Sequence, residues 1–191
     1  MRITATLSLL LPLAYLPALV AQDAKSPHYI RAGHLIVARV EASNTFSAYS
    51  TKSGKWASHT FPDGIEATPV ASNHCVAFQL SGESLTELVA VDENGTWRVH
   101  KLTNPAKGGC LPYLGQSLMY CVADGHTHAF SATHGKWDSL AAVSTVPVQF
   151  DSLNGKAGME VILVVSPTSI SAFSAQCPTW ATVTTSPARG G

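Results

Sequence analysis

Short runs of alternating apolar and polar residues, broken by turn formers, occupy the chain from residue 26 to residue 184. Thr96 to His100 shows the pattern most plainly, with Trp97 and Val99 on one side and Arg98 and His100 on the other. This is the period of two that a half-buried strand requires. Before it, Leu85 to Val91 is rich in Leu and Val, and Asp92-Glu93-Asn94-Gly95 joins the two runs. That turn is the strongest hairpin signal in the chain, because Asn-Gly tolerates the positive φ of primed turns. Ala67 to Val70 and His74 to Leu80 supply two earlier strands, with breaks at Ser72-Asn73 and Ser81-Gly82. The stretch therefore predicts a four-stranded meander. The same reading places strands at 26–29, 34–40, 45–50 and 55–60, then at 110–114, 117–122, 127–132 and 136–141. The last set is 146–150, 159–165, 168–175 and 179–184, with a longer first turn from Asp151 to Gly158. Apart from the first two dozen residues, no part of the chain carries apolar residues at helical spacing for three turns.

The meanders are copies of one unit. Ala48 to Trp56 reads AYSTKSGKW, Ala90 to Trp97 reads AVDENGTW, Ala129 to Trp137 reads AFSATHGKW, and Ala172 to Trp180 reads AFSAQCPTW. All four tryptophans of the chain close such a unit, at spacings of 41, 40 and 43 residues. A fixed period of this length marks a repeat architecture. The first strand of each unit also carries a proline, namely Pro27, Pro69, Pro112 and Pro147. Proline cannot donate to a strand ladder and belongs on an edge, so the first strand is assigned to the inner edge of each unit. Small four-stranded repeats that cannot bury both faces alone stack around an axis. The expected fold is all-β: a four-bladed β-propeller of four-stranded antiparallel blades over residues 22–191, with blades at about 26–66, 67–109, 110–144 and 145–186. Trp56, Trp97 and Trp137 are expected to be buried between blades, and Trp180 to be partly exposed at ring closure. A monomeric closed ring is the first expectation, and a half-ring that dimerises into eight blades is the alternative.

An aromatic or aliphatic residue, then five or six residues, then Trp, as in Tyr49 to Trp56, Val91 to Trp97, Phe130 to Trp137 and Phe173 to Trp180, resembles the kelch-type repeat. The resemblance covers nearly the whole chain after the leader and implies a propeller. It transfers no catalytic residue. The Gly-Gly pair that usually ends the second kelch strand is missing there, and Gly108-Gly109 is placed in a connection instead. The Ser-Gly-Lys-Trp wording is also similar to the tail of quinoprotein-type repeats.

Arg2, the uncharged run Ile3 to Val20 and the small Ala21 before polar Gln22-Asp23 read as a secretory signal peptide over residues 1–21. The protein is therefore expected to be exported, to the periplasm or beyond, with no membrane insertion after cleavage. Charged residues are only 13% and the formal net charge is zero, which leaves no basic stripe to neutralise phosphates and argues against nucleic acid as a partner. Four cysteines in an exported chain favour a disulfide. Cys110 and Cys121 flank a presumed hairpin centred on Gly115-Gln116 and would face one another across it; Cys75 and Cys177 have no local argument.

Candidate chemistry is sparse. His126-Thr127-His128 puts two imidazoles on one side of a strand near Asp124, a set able to hold a divalent cation such as zinc. Asp63, Glu66, Glu83 and Asp124 fall in connections on one mouth of the ring, as solvated loop acids that could form a shared ligand site. Asn94-Gly95-Thr96 matches a glycosylation acceptor. No G-x-S-x-G elbow, H-E-x-x-H or phosphate loop occurs. The first expectation for function is an exported binding or scaffold module that recognises a protein or glycan through loops at one mouth. The alternatives are a saccharide-active hydrolase or lyase using loop carboxylates, and a propeller holding a cation.

Overall fold

The computed structural model describes residues 29–40, 43–144, 149–152 and 160–185. The leader sequence, Pro27, Pro147 and most of the long turn of the fourth unit lie outside these residues. The described residues form fifteen strands and no helix. The first sheet is a meander of β1 (Tyr29–Ala32), β2 (Leu35–Arg39), β3 (Thr45–Ser50) and β4 (Lys55–Thr60). The second contains β5 (Glu66–Ala71), β6 (Val76–Val91) and β7 (Trp97–Cys110). The third orders β8 (Tyr113–Leu114), β9 (Leu118–Ala123), β10 (His126–Ser131) and β11 (Lys136–Leu140). The fourth consists of β12 (Gln149–Ser152), β13 (Glu160–Val165), β14 (Ser169–Ser174) and β15 (Ala181–Thr184). Every pairing is antiparallel. The four units read from the sequence are thus four antiparallel sheets.

The second sheet departs from the expected four strands. β6 runs unbroken through the expected turn at Ser81-Gly82, with register shifts between Gly82 and Glu87. Thirteen residues of straight strand would separate Phe78 from Val91 by roughly 40 Å. Yet Phe78 stacks on Trp97, 5.5 Å between ring centroids, and Trp97 is paired with Val91. Ala77 and Ala90 also share one core cluster. β6 therefore doubles back at the irregularity, and its two halves occupy the places expected of two strands. Gly108 and Gly109 lie within β7 opposite Gly82 and Ser81, where they had been placed in a connection. The turn after β6 differs as well. Gly95 alone takes positive φ (80°), and Gly95 N–H donates to Asp92 carbonyl at 2.9 Å. This is a turn followed by a left-handed glycine, not a primed pair.

Core clusters join consecutive sheets. Phe46, Val37 and Ala48 of the first sheet pack with Val76, Phe78, Val89 and Val91 of the second. Ala77 and Ala90 on the other face of the second sheet meet Met119 and Phe130 of the third. Leu118, Tyr120 and Ala129 of the third meet Ile162, Phe173 and Ala175 of the fourth. None of these clusters joins the fourth sheet to the first. Edge-to-face rings at Phe46, Phe61 and Phe78 fill the first interface, with centroids 5.0–5.8 Å apart.

Two of the tryptophans bond to the sheet before them, whereas the buried Trp180 Nε1 finds no acceptor. Trp97 Nε1 donates to Ala57 carbonyl at 3.0 Å, and Trp137 Nε1 donates to Arg98 carbonyl at 3.0 Å. The acceptor in each case is the residue following the previous Trp. Serines at the end of the third strand work in the opposite sense. Ser50 Oγ donates to Glu93 carbonyl and Ser131 Oγ to Ala175 carbonyl, both at 2.8 Å. Trp180 is half-buried as expected, and so are Trp97 and Trp137, against the expectation of full burial. Trp56, also expected to be buried, is 58% exposed, because among the described residues no sheet packs on the face that carries it.

The expected Cys110–Cys121 bridge is absent, and all four cysteines are free. The register Tyr113↔Tyr120 and Leu114↔Met119 centres the turn one residue later than the symmetric placement assumed. Carried outward, it sets Cys121 opposite Pro112 rather than Cys110. The two thiols still touch. The hydrogen bond with Cys110, followed by burial, pushes Cys121 well above its ordinary pKa.

Candidate functional site

The densest cluster of titratable groups lies between the second and third sheets, and a two-residue turn creates it. Ala123 pairs with His126 across Asp124-Gly125, which have φ of 47° and 79°, a left-handed pair that Asp and Gly tolerate. The turn folds the Asp124 carboxylate back over β10. His126 and His128 share a face, as their spacing requires, and both reach that carboxylate. His128 Nε2 donates to Asp124 Oδ1 at 2.9 Å, and His126 Nδ1 lies 3.2 Å from the same oxygen. The Asp124 side chain is only 2% exposed, so the residue expected to be a solvated loop acid is a buried, paired one.

With His128 Nε2 turned to Asp124, its Nδ1 faces two further groups. Ser139 Oγ is 2.8 Å away and His100 Nε2 is 3.1 Å away. His100 Nε2 also lies 2.8 Å from Ser139 Oγ. Trp137 covers His100 in a stack of 5.5 Å and 20°. Burial, reinforced by the neighbouring His128 charge, lowers the pKa of His100 despite opposing contributions from Asp124 and Asp138. Burial pushes Asp124 upward, but the hydrogen bond and charge of His128, a backbone hydrogen bond from Asn104 and the charge of His126 outweigh it. Its pKa is lowered. In chemical terms the line Asp124–His128–Ser139 is carboxylate, imidazole and hydroxyl in sequence, the order in which a base is oriented and a hydroxyl activated.

The interface before it uses the same frame with different groups. Trp97 stacks on His59 at 5.3 Å and 26°. His59 Nε2 is 3.2 Å from Glu87 Oε1, and Glu87 is also paired with Lys101. His59 and His100 both stand three residues after a Trp, in Trp56-Ala57-Ser58-His59 and Trp97-Arg98-Val99-His100. Sequence reasoning passed over these histidines, although the doubled Trp-x-x-His was visible. Nothing local marked Glu87 or Ser139 as their partners.

The remaining acids lie elsewhere. Asp63 is exposed in the turn between β4 and β5, which Asn44 ties down by donating to Ile65 carbonyl at 2.8 Å. Glu66 is exposed at the start of β5, opposite Ser81, and Glu83 is exposed two residues beyond that partner. These three gather at one end of the second sheet, while Asp124 is buried in the third. Among the described residues, no group of three His, Cys, Asp or Glu side chains is arranged to hold a metal ion. A groove of about 340 Å³ opens at the inner edges of the first two sheets, lined by residues including Tyr29, Ile30, Arg39, Phe46 and Pro69.

No family model matches the sequence, and neither does any curated protein. Among solved structures, the chain is similar to Hsv2 of Kluyveromyces lactis over 83% of its own length and 60% of that chain, at 14% identity and a TM-score of 0.38. It is also similar to a chain of a mitotic checkpoint complex over 96% of its length and 75% of that chain, at 9% identity and a TM-score of 0.29. The chain thus spans less than two thirds of the Hsv2 it resembles. The fold rests on the sheets themselves.

Proposed function

We propose that this chain is an exported binding or scaffold module that meets a protein or glycan partner at the end of the sheets carrying Asp63, Glu66 and Glu83. The carrying observation is the pairing of Glu66 with Ser81. It holds Glu66 and Glu83 at one end of a sheet, beside a turn anchored by Asn44, with all three carboxylates exposed. A rigid frame presenting unspent carboxylates suits recognition of a cationic or hydroxyl-rich surface. The uncharged run ending at Ala21 supports export, and the repeated Trp units support a propeller scaffold of the kelch type or another. The test compares wild type with the joint Asp63→Ala, Glu66→Ala, Glu83→Ala variant on a glycan array and an extracellular-protein array. Ligands lost by the variant at unchanged melting temperature support the reading. Ligands equally bound by both remove it.

A second reading rests on the line from Asp124 through His128 to Ser139: an ester hydrolase with Ser139 as nucleophile and His128 as base. It stands beside saccharide chemistry by loop carboxylates, for which Asp63, Glu66 and Glu83 stay exposed while Asp124 is committed to two histidines. A fluorophosphonate probe decides it: labelling of wild type but not of Ser139→Ala supports it, and no labelling removes it. The cation-holding alternative keeps His126 and His128 as its candidates, and metal analysis of the purified protein tests it.

A further inference from the structure

The repeat fixes two positions whose exposure reports whether a neighbouring sheet is present. Tyr49, Val91, Phe130 and Phe173 occupy the position that faces the preceding sheet. The last three are buried, whereas Tyr49 is only half-buried. Ala48, Ala90, Ala129 and Ala172 occupy the position that faces the following sheet. The first three are fully buried, but Ala172 is not. Trp56 repeats the contrast against Trp97 and Trp137. Among the described residues, one face of the first sheet and one face of the fourth are thus uncovered. On the first sheet, Ile36, Tyr49 and Trp56 pair across neighbouring strands, and the Tyr49 and Trp56 rings lie 5.3 Å apart. On the fourth, Ala172 lies on the same face as the cross-strand pair Ile170 and Val183, which are 36% and 59% exposed.

These faces are the two halves of an interface the chain already builds. Trp97 and Trp137 each bond to the carbonyl after the preceding Trp and lie over the side chain three residues after it. On the fourth sheet those two positions are Ala181 and Val183, both exposed. We propose that a second copy of this chain covers both faces, with Trp56 of each copy seated on Ala181 and Val183 of the other. Two such head-to-tail contacts, related by a two-fold axis, close a ring of eight blades. Eight lies within the usual range of roughly four to eight for propellers, while a third copy would exceed it. Each junction joins unlike faces, and the two-fold axis makes the whole contact isologous, with Trp56 meeting Val183 at one junction and Val183 meeting Trp56 at the other. This replaces the expectation of a monomer and does not depend on which partner the acidic end binds.

The test is light scattering on the full chain at micromolar concentration, with Trp56→Arg and Val183→Arg as variants at positions exposed in the single chain. Wild type and Trp56→Phe should have twice the chain mass. Each Arg variant should be a monomer with an unchanged circular dichroism spectrum. An equimolar mixture of the two should recover dimers, because one junction then joins an intact Trp56 to an intact Val183. A monomeric wild type, a larger assembly, or a mixture that stays monomeric would each overturn the proposal. Monomers with Trp56 shielded from a quencher would indicate closure within one chain, and shielding by added partner protein would assign the face to another occupant.

Discussion

At the first interface Trp97 lies over His59, and the His59 ring rests against Glu87, which Lys101 also holds. At the second, Trp137 lies over His100, and the His100 ring rests against His128, which Asp124 holds. The indole, its bond to the preceding sheet and the histidine beneath it are the same in both. What differs is the group on the far side of the histidine. The first site sets an imidazole against a carboxylate. The second sets an imidazole against another imidazole, which together with burial lowers the His100 pKa. The repeat therefore specifies how sheets stack, and the residue facing the histidine is free to set the electrostatics of each junction.

The largest effect expected from disturbing this pattern is loss of a stacking indole. Trp137 touches two core clusters, so Trp137→Ala should cost about 2–4 kcal/mol, somewhat below the usual range for a fully buried Trp. Trp97→Ala should cost slightly less, and urea melts of the two would rank them. Equal tolerance of both substitutions would mean that the indoles do not hold the sheets together.

Next is the carboxylate that separates the two junctions. Asp124→Ala removes the carboxylate from His128 Nε2 and His126 Nδ1, which keep only the backbone carbonyls of residues 123 and 124 at 3.3 and 3.0 Å, a loss of roughly 1–3 kcal/mol. A urea melt of this variant within about 0.5 kcal/mol of wild type, as for an ordinary surface change, would return Asp124 to the class of solvated loop acids. Ser131→Ala should cost about 1 kcal/mol by removing the buried bond to Ala175 carbonyl and the longer one from His134 N–H, and Ser50→Ala, which loses the matching bonds to Glu93 carbonyl and from Lys52 N–H, should match it if the two serines are true equivalents.

The electrostatic difference predicts a pH response. His100 has a lowered folded pKa, so the unfolded chain binds its proton first and stability falls as pH drops through the ordinary histidine range near 6.5. Asp124 has a depressed folded pKa. Its contribution is present above the unfolded carboxylate value and is lost only as pH falls through the lower folded one. Between pH 7 and pH 5, wild type should therefore lose more stability than His100→Gln. Parallel pH profiles for the two proteins would contradict a charge-averse second junction. The smallest expected effect is at the acidic end, where Asp63→Ala, Glu66→Ala or Glu83→Ala should each change stability by no more than about 0.5 kcal/mol.

Strand positions and the division into four sheets were legible because alternation and turn residues are local properties. The shared face of His126 and His128 followed from the same period. Register was not legible to within one residue. Centring the hairpin on Gly115-Gln116 moved Cys110 opposite Cys121, whereas the observed turn places Pro112 there. The merging of two strands into β6 escaped for a related reason, since Ser81-Gly82 is turn-like in composition yet pairs with Gly109 and Gly108. Trp56 and Asp124 show a different limit. Trp56 has the same local wording as Trp137 and the opposite exposure, because burial depends on whether a sheet covers it. Asp124 reads as a loop acid until the turn conformation returns its carboxylate to the strand.

The central claim is that the indoles of Trp97 and Trp137 are bonded to the sheet before them, and hydrogen exchange at the indole N–H groups measures that directly. In the full chain, the indole protons of Trp97 and Trp137 should exchange on the timescale of the sheet amides, with Trp137 the slower because its bond is the less exposed of the two. Exchange of either proton within the dead time of the experiment would contradict the account, since a tryptophan free to exchange at once is not holding the carbonyl of Ala57 or Arg98.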